Sequence, residues 1–121
     1  MSALLNSLQE LSLTEARAAS VHSLDVEGQV GVVGASQVGR RLLTILNDGS
    51  YRVLLDLSRA EPIAPAALVG TLLRIDRYAT RRGARLVVVP GEAMEPTLDL
   101  RTTRGLLTIA ATREQAESLL A

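Results

Sequence analysis

The apolar residues change their period along the chain. Two runs, Arg52-Val53-Leu54-Leu55-Asp56-Leu57 and Arg85-Leu86-Val87-Val88-Val89-Pro90, are almost continuously Val and Leu. Runs of that kind, without alternation, predict strands covered on both faces, with the first at the centre of a sheet. Between them comes a turn carrying Pro62, and then Leu68, Leu72, Ile75 and Ala79 recur at helical spacing, with Arg74, Arg77 and Arg81 on the opposite side. Pro65 suits the first helical position, having no N–H to lose and a φ preset for helix. Gly83, after Arg81-Arg82, can end the helix in the left-handed region. Strand, helix and strand make a parallel unit with the usual right-handed crossover.

The rest of the chain is read against that unit. Leu4, Leu5, Leu8 and Leu11 predict a short helix or frayed arm over residues 1–13, followed by one domain over 14–121. Val21, Leu24 and Val26 mark an early strand within Ala18–Glu27. A glycine-rich stretch, Gly28 to Gly39, leads to a helix of about nine residues striped by Val38, Leu42, Ile45 and Leu46 and ended by Asn47-Asp48-Gly49. Met94 to Leu100 gives another helical pattern, Gly105 breaks it, and Leu106 to Ile109 fits a short edge strand. Thr112-Arg113-Glu114-Gln115 is a capping box: the Thr112 hydroxyl should accept from the Gln115 N–H, and the Gln115 side chain from the Thr112 N–H. A last helix through Leu120 follows. The sum is an α/β domain with a mixed, mainly parallel sheet of four to five strands and about four helices.

Composition narrows the function classes. Thirteen basic and thirteen acidic residues cancel among 121, so nothing global steers the chain to nucleic acid or an anionic membrane. The absence of cysteine excludes disulfides, thiol catalysis and thiolate metal sites, and His22 alone cannot build a histidine-rich metal site. Tyr51 and Tyr78 are the only aromatic residues, which leaves little for stacking bases. No apolar run approaches the roughly 20 residues needed to span a bilayer, and no export signal opens the chain, so a cytoplasmic protein is expected. No histidine stands near a candidate nucleophile and no carboxylates pair at a recognisable spacing, so neither catalysis nor a cofactor is expected. Arg74, Arg77, Arg81, Arg82 and Arg85 read as a solvated face with Asp76 interleaved.

The glycines allow two readings. Val30 to Arg40 is similar to the phosphate-binding turn of dinucleotide-binding folds, with Gly31, Gly34 and Gly39 at the turn and Asp56, 22 residues beyond Gly34, to hold a ribose. The spacing Gly-x-x-Gly-x-x-x-x-Gly departs from that fingerprint, and Ser36 or Gln37 fills the position where backbone should meet pyrophosphate.

The other reading takes the chain as a whole. Gly28-Gln29-Val30-Gly31 stands at a first turn, Asp56-Leu57-Ser58 closes a strand, and Arg82-Gly83-Ala84-Arg85-Leu86-Val87-Val88-Val89 joins a helix end to the next strand. Leu98 to Leu107 and Ala110 to Ala116 complete the series. In this order the motifs resemble the STAS family, the small domain of anti-sigma-factor antagonists, stressosome proteins and sulfate-transporter tails, over about four-fifths of the chain. The resemblance implies a non-enzymatic regulatory module of bacteria. Its partner would be an anti-sigma factor of kinase-like fold, another STAS-containing protein, or a second copy of itself. The docking surface would comprise Gly31, Gly34, Ile63, Ala64, Pro65, Ala66, Ala67 and Leu68.

Two of the family's polar marks are missing. In the family a serine at the start of the second helix is phosphorylated, adding about −1.5 to −2 charge to the docking face. Here Ala64-Pro65-Ala66-Ala67 occupies that place, so Pro65 and Ala66 offer no hydroxyl, and Gly31 stands where the first turn should be acidic. Ser58 and Thr71 are the nearest hydroxyls, and both read as local backbone partners. Asp56 reads likewise as a cap for nearby amides. The expectation is constitutive docking, or a trigger located elsewhere.

Overall fold

In a computed structural model, which describes residues 11–94 and 106–121, five strands form one sheet in the order β1-β2-β3-β4-β5. The strands are β1 Ser12–Ala18, β2 Val21–Val30, β3 Arg52–Pro62, β4 Arg85–Val89 and β5 Thr108–Ile109. β1 runs antiparallel to β2, and every other neighbouring pair is parallel. The helices are α1 Val32–Asn47, α2 Pro65–Arg81, a single turn α3 Gly91–Met94, and α4 Arg113–Leu120. The mixed, mainly parallel α/β architecture read from the sequence is the one observed.

Alternation along the strands builds two apolar layers. Val53, Leu55 and Leu57 of β3, with Leu24 and Val26 of β2 and Leu86 and Val88 of β4, face α1 and α2. Leu54 of β3 and Val87 and Val89 of β4 face the other way, against Ala116 and Leu120 of α4. That second layer is small, so the opposite face of β2 and the end of β3 are left to polar side chains.

The boundaries of α2 follow its sequence signals. Pro65 starts the helix, and Gly83, at φ +73°, turns the chain out of it. The α1 boundary does not follow them. The helix covers 16 residues rather than about nine and includes most of the glycine-rich stretch. Its buried stripe is Ala35, Val38, Gly39, Leu42, Ile45 and Leu46, so Gly39 is a packing position and the stripe begins before Val38. A Cβ at Gly39 would lie 2.7 Å from Thr71 Cγ2, which is where α1 crosses closest to α2. Gly39→Ala should therefore destabilise by up to about 2 kcal/mol, because overpacking of about 1–3 kcal/mol is offset by a helix-propensity gain of only about 1. In chemical denaturation Thr71→Ser, which removes the clashing methyl, should restore the loss; no recovery would place the strain elsewhere.

Near the N-terminus the expected arm gives way to a strand at Ser12, within the segment read as helix; Leu4, Leu5 and Leu8 lie outside the described residues. β1 joins β2 through Ala19 and Ser20, both at positive φ (51° and 66°), the backbone of a two-residue type I′ hairpin without the usual Asn-Gly. β3 also runs further than expected, through Pro62. The helical pattern over Met94 to Leu100 lies outside the described residues beyond Met94, which closes α3. Around α4 the Gln115 N–H donates to Thr112 Oγ1 (3.1 Å) as expected, but Gln115 Oε1 accepts from the Ala111 N–H (2.7 Å), one residue before the one predicted.

Candidate functional site

The loops before α1 and α2 lie side by side at the C-terminal ends of β2 and β3. The Val30 carbonyl accepts from both the Ile63 N–H (3.0 Å) and the Ala64 N–H (3.3 Å), which ties the two loops together. Ile63 Cδ1 would be 3.6 Å from a Cβ at Gly31, so its side chain lies over that residue. Above this seam stand Val32 (68% exposed), Val33 (72%) and Ile63 (60%). These are β-branched residues with most of their apolar surface in water, whereas most other large apolar side chains among the described residues are buried. Between the helices a shallow groove of about 500 Å³ is floored by small residues, Ala66, Ala67 and Gly70, and edged by Arg40 and Arg74.

Of the residues named for docking, Gly31, Ile63, Ala64, Pro65, Ala66 and Ala67 are brought together here. Leu68 is not part of the surface: it is fully buried in the core beneath α2. Gly34 is only partly exposed, because Leu11 Cδ2 lies 3.3 Å from where its Cβ would stand. The sequence reading missed Val32 and Val33. Their signal was a Val-Val pair at a helix start outside the buried stripe.

The same geometry removes the dinucleotide reading. Gly34 and Gly39 lie inside α1 and not in a turn, Leu11 covers the first, and Thr71 faces the second. Asp56 is engaged on the opposite face of the sheet.

There, Asp25 of β2 and Asp56 of β3 are direct neighbours in the parallel register. The sequence shows no carboxylates at a recognisable spacing, and this pair has none: strand pairing joins residues 31 apart. The Arg113 guanidinium at the start of α4 spans both: Nη1 donates to Asp25 Oδ1 (2.8 Å) and Asp56 Oδ2 (3.1 Å), and Nη2 to Ser23 Oγ (3.1 Å). Asp56 Oδ1 accepts from the Ser58 N–H (2.9 Å) and hydroxyl (2.6 Å). This back-bonding sits at an irregularity in the β2–β3 register between Asp25 and Glu27, where β3 carries one extra residue. Burial pushes the Asp56 carboxyl up, but the Ser58 hydroxyl and N–H and the Arg113 guanidinium outweigh it and hold the group below the usual carboxylate range. Asp56 thus caps local groups, as read from the sequence, and is locked as an anion.

A second polar cluster corrects the view that no histidine lies near a hydroxyl nucleophile. Arg17 Nε donates to His22 Nδ1 (3.3 Å), so Nδ1 carries the ring's lone pair and also accepts the Ser50 hydroxyl (3.1 Å), while His22 Nε2–H donates to Glu15 Oε1 (2.8 Å). Arg41 Nη1 donates to Glu15 Oε2 (2.7 Å). That bond, with the one from His22, holds the Glu15 carboxyl below its ordinary value against the opposing effect of burial. The chain of bonds fastens β1 to α1 and to the start of β3. With Arg17 occupying both the imidazole and the hydroxyl oxygen, it works as a clasp. Among the described residues no group of three or more His, Asp or Glu side chains could hold a metal ion. No described helix is long and apolar enough to cross a membrane.

No family model and no curated relative matches the sequence. Solved structures do match. An anti-sigma factor antagonist from Mycobacterium paratuberculosis superposes with a TM-score of 0.70 at 17% identity, covering 93% of this chain and 95% of that one. The phosphorylated form of the Bacillus cell fate determinant SpoIIAA gives 0.66 at 15% identity, over 93% and 100%. The STAS domain of an antisigma-factor antagonist from Rhodobacter sphaeroides gives 0.56 at 21% identity, over 76% and 97%. The chain has the STAS fold found in anti-sigma-factor antagonists.

Proposed function

We propose that the protein is a non-enzymatic regulatory docking module that binds an anti-sigma factor of kinase-like fold through the loops before α1 and α2. The observation that supports this most directly is the exposed apolar seam of Val32, Val33 and Ile63, fastened over the Val30 carbonyl and continuous with the small-residue groove. An apolar seam rimmed by Arg40 and Arg74 suits a partner surface of apolar knobs with carboxylates at its edge. Pro65 and Ala66 occupy the start of α2, so docking is constitutive with respect to phosphorylation there. Working in the cytoplasm of a bacterium follows from the same reading. A partner with its own STAS domain and a second copy of this chain are the other occupants to be distinguished.

The test is affinity capture from a lysate of the source organism with wild type and Ala66→Arg, followed by titration of the purified partner. Ala66 is exposed in the first turn of α2, so the substitution should leave the melting temperature nearly unchanged. A kinase-like anti-sigma factor should be retained by the wild type and bound at least about 100-fold more weakly by Ala66→Arg, as expected for a bulky cation forced into a close-packed contact. Equal retention by both proteins would remove the groove from the function.

A further inference from the structure

At the other end of the sheet, where β2 and β3 begin, lies a pocket of about 440 Å³ lined by Arg17, Ser20, Gly49, Ser50, Tyr51 and Arg52. It is separate from the docking seam, which stands at the opposite ends of the same strands. Two guanidiniums reach it from different strands, Arg17 from β1 and Arg52 from β3. Each rests on a hydroxyl and not on a carboxylate: Arg17 Nη2 donates to Ser50 Oγ (3.0 Å) and Arg52 Nη1 to Ser20 Oγ (3.1 Å). Among the described residues neither forms an ion pair, whereas Arg41, Arg59 and Arg113 all do. The lining contains no acidic side chain. Glu15, beside Arg17 in the clasp, is already bound by His22 and Arg41, and Asp48, which caps α1 beside Gly49, does not line the pocket.

We infer that this pocket binds a small phosphate-bearing ligand. Guanidinium N–H groups match the oxygens of phosphate, and although Arg17 Nε and Nη2 are held by His22 and Ser50, two guanidiniums without a carboxylate partner around one concavity leave a positive field that a dianion would neutralise. The hydroxyls of Ser20 and Ser50 hold both arginines in place beforehand, so little side-chain freedom is lost on binding. The volume falls within the range of small-molecule sites, and the exposed Tyr51 ring gives one wall an apolar surface, which suits a phosphate monoester carrying a small organic group. Free inorganic phosphate presents the same chemistry to the arginines.

The experiment titrates the full chain at low salt with inorganic phosphate and, separately, with AMP, following backbone amide NMR shifts at Ser20, Gly49 and Ser50. Saturable shifts at these amides are expected, weakened at least tenfold in Arg52→Gln and in Arg17→Gln and unchanged in Arg74→Gln on α2. Arg52 is exposed at a strand end, so Arg52→Gln keeps its fold even if loss of Arg17 loosens the β1 clasp. Tighter binding of AMP would identify a monoester as the ligand, and equal binding would identify the free anion. Absence of saturable shifts with either probe up to about 10 mM, or equal weakening by Arg74→Gln, would overturn the site.

Discussion

Gly91→Ala is expected to lower stability by about 3 kcal/mol, equivalent to a fall of about 10 °C in melting temperature for a domain of this size. Two independent effects combine. Gly91 sits at φ +68°, where a side chain adds strain of roughly 1 kcal/mol. In addition, a Cβ there would lie 2.6 Å from Ser58 Cα and 3.2 Å from the Ser58 carbonyl oxygen. Those are backbone atoms of β3 at its irregularity, and they cannot swing aside as a side-chain end could; forcing them apart adds about 1–3 kcal/mol. Thermal unfolding monitored by circular dichroism would read the loss. Gly91→Asn, which tolerates the backbone angle better, should recover only the strain and remain well below wild type. Full recovery would show that the close approach to Ser58 is not tight.

Arg113→Met is the second large effect, about 2 kcal/mol at pH 7. The guanidinium is the only cation on Asp25 and Asp56 among the described residues, and its removal leaves two carboxylates side by side on adjacent strands. Breaking a fully buried pair costs about 3–5 kcal/mol and an exposed one less than about 1. Asp56 is 14% exposed but Asp25 is 48%, so the value falls between. The pH dependence separates this from a simple packing loss. Asp56 titrates below its unfolded value in the folded protein, so its stabilisation is complete above the unfolded pKa of about 4 and is lost as pH falls through the folded one. The difference between wild type and Arg113→Met should therefore shrink steadily below about pH 4. In a double-mutant cycle, Asp56→Asn made in the Arg113→Met background should cost at least about 1 kcal/mol less than in wild type. Additive losses with no pH dependence would show that Arg113 acts through packing alone.

How far each feature could be read from the sequence depended on whether its cause is local. β3, β4 and α2 were legible because continuous Val and Leu runs, Pro65 and Gly83 act on their own segments. The start of α1 was not, because Gly39 looks like a loop residue until α2 is seen lying against it at Thr71. The hairpin before β2 was hidden by Ala19 and Ser20, which take up positive φ without the residues that usually announce it. The loop before α2 was marked by the pattern around Pro65, whereas Leu68 was misplaced because the residue that follows the loop turns straight into the core. The partnerships of Asp25 with Asp56 and of His22 with Ser50 exist only through pairing and packing of separate segments, and no spacing along the chain encodes them.

The order of strands across the sheet is the order in which they occur along the chain. Each strand can therefore pair with one that has already been synthesised, and no strand has to wait for a later one to be inserted between its neighbours. Only the β1–β2 hairpin closes a short loop, and each parallel pairing spans a crossover, so the sheet is suited to stepwise growth from the N-terminal side as the polypeptide emerges. The bonds from Arg113 are the exception, reaching back 88 and 90 residues to Asp25 and Ser23. They form last, when nearly the whole chain is present, and so act as a check that the first strands and the final helix have met in register.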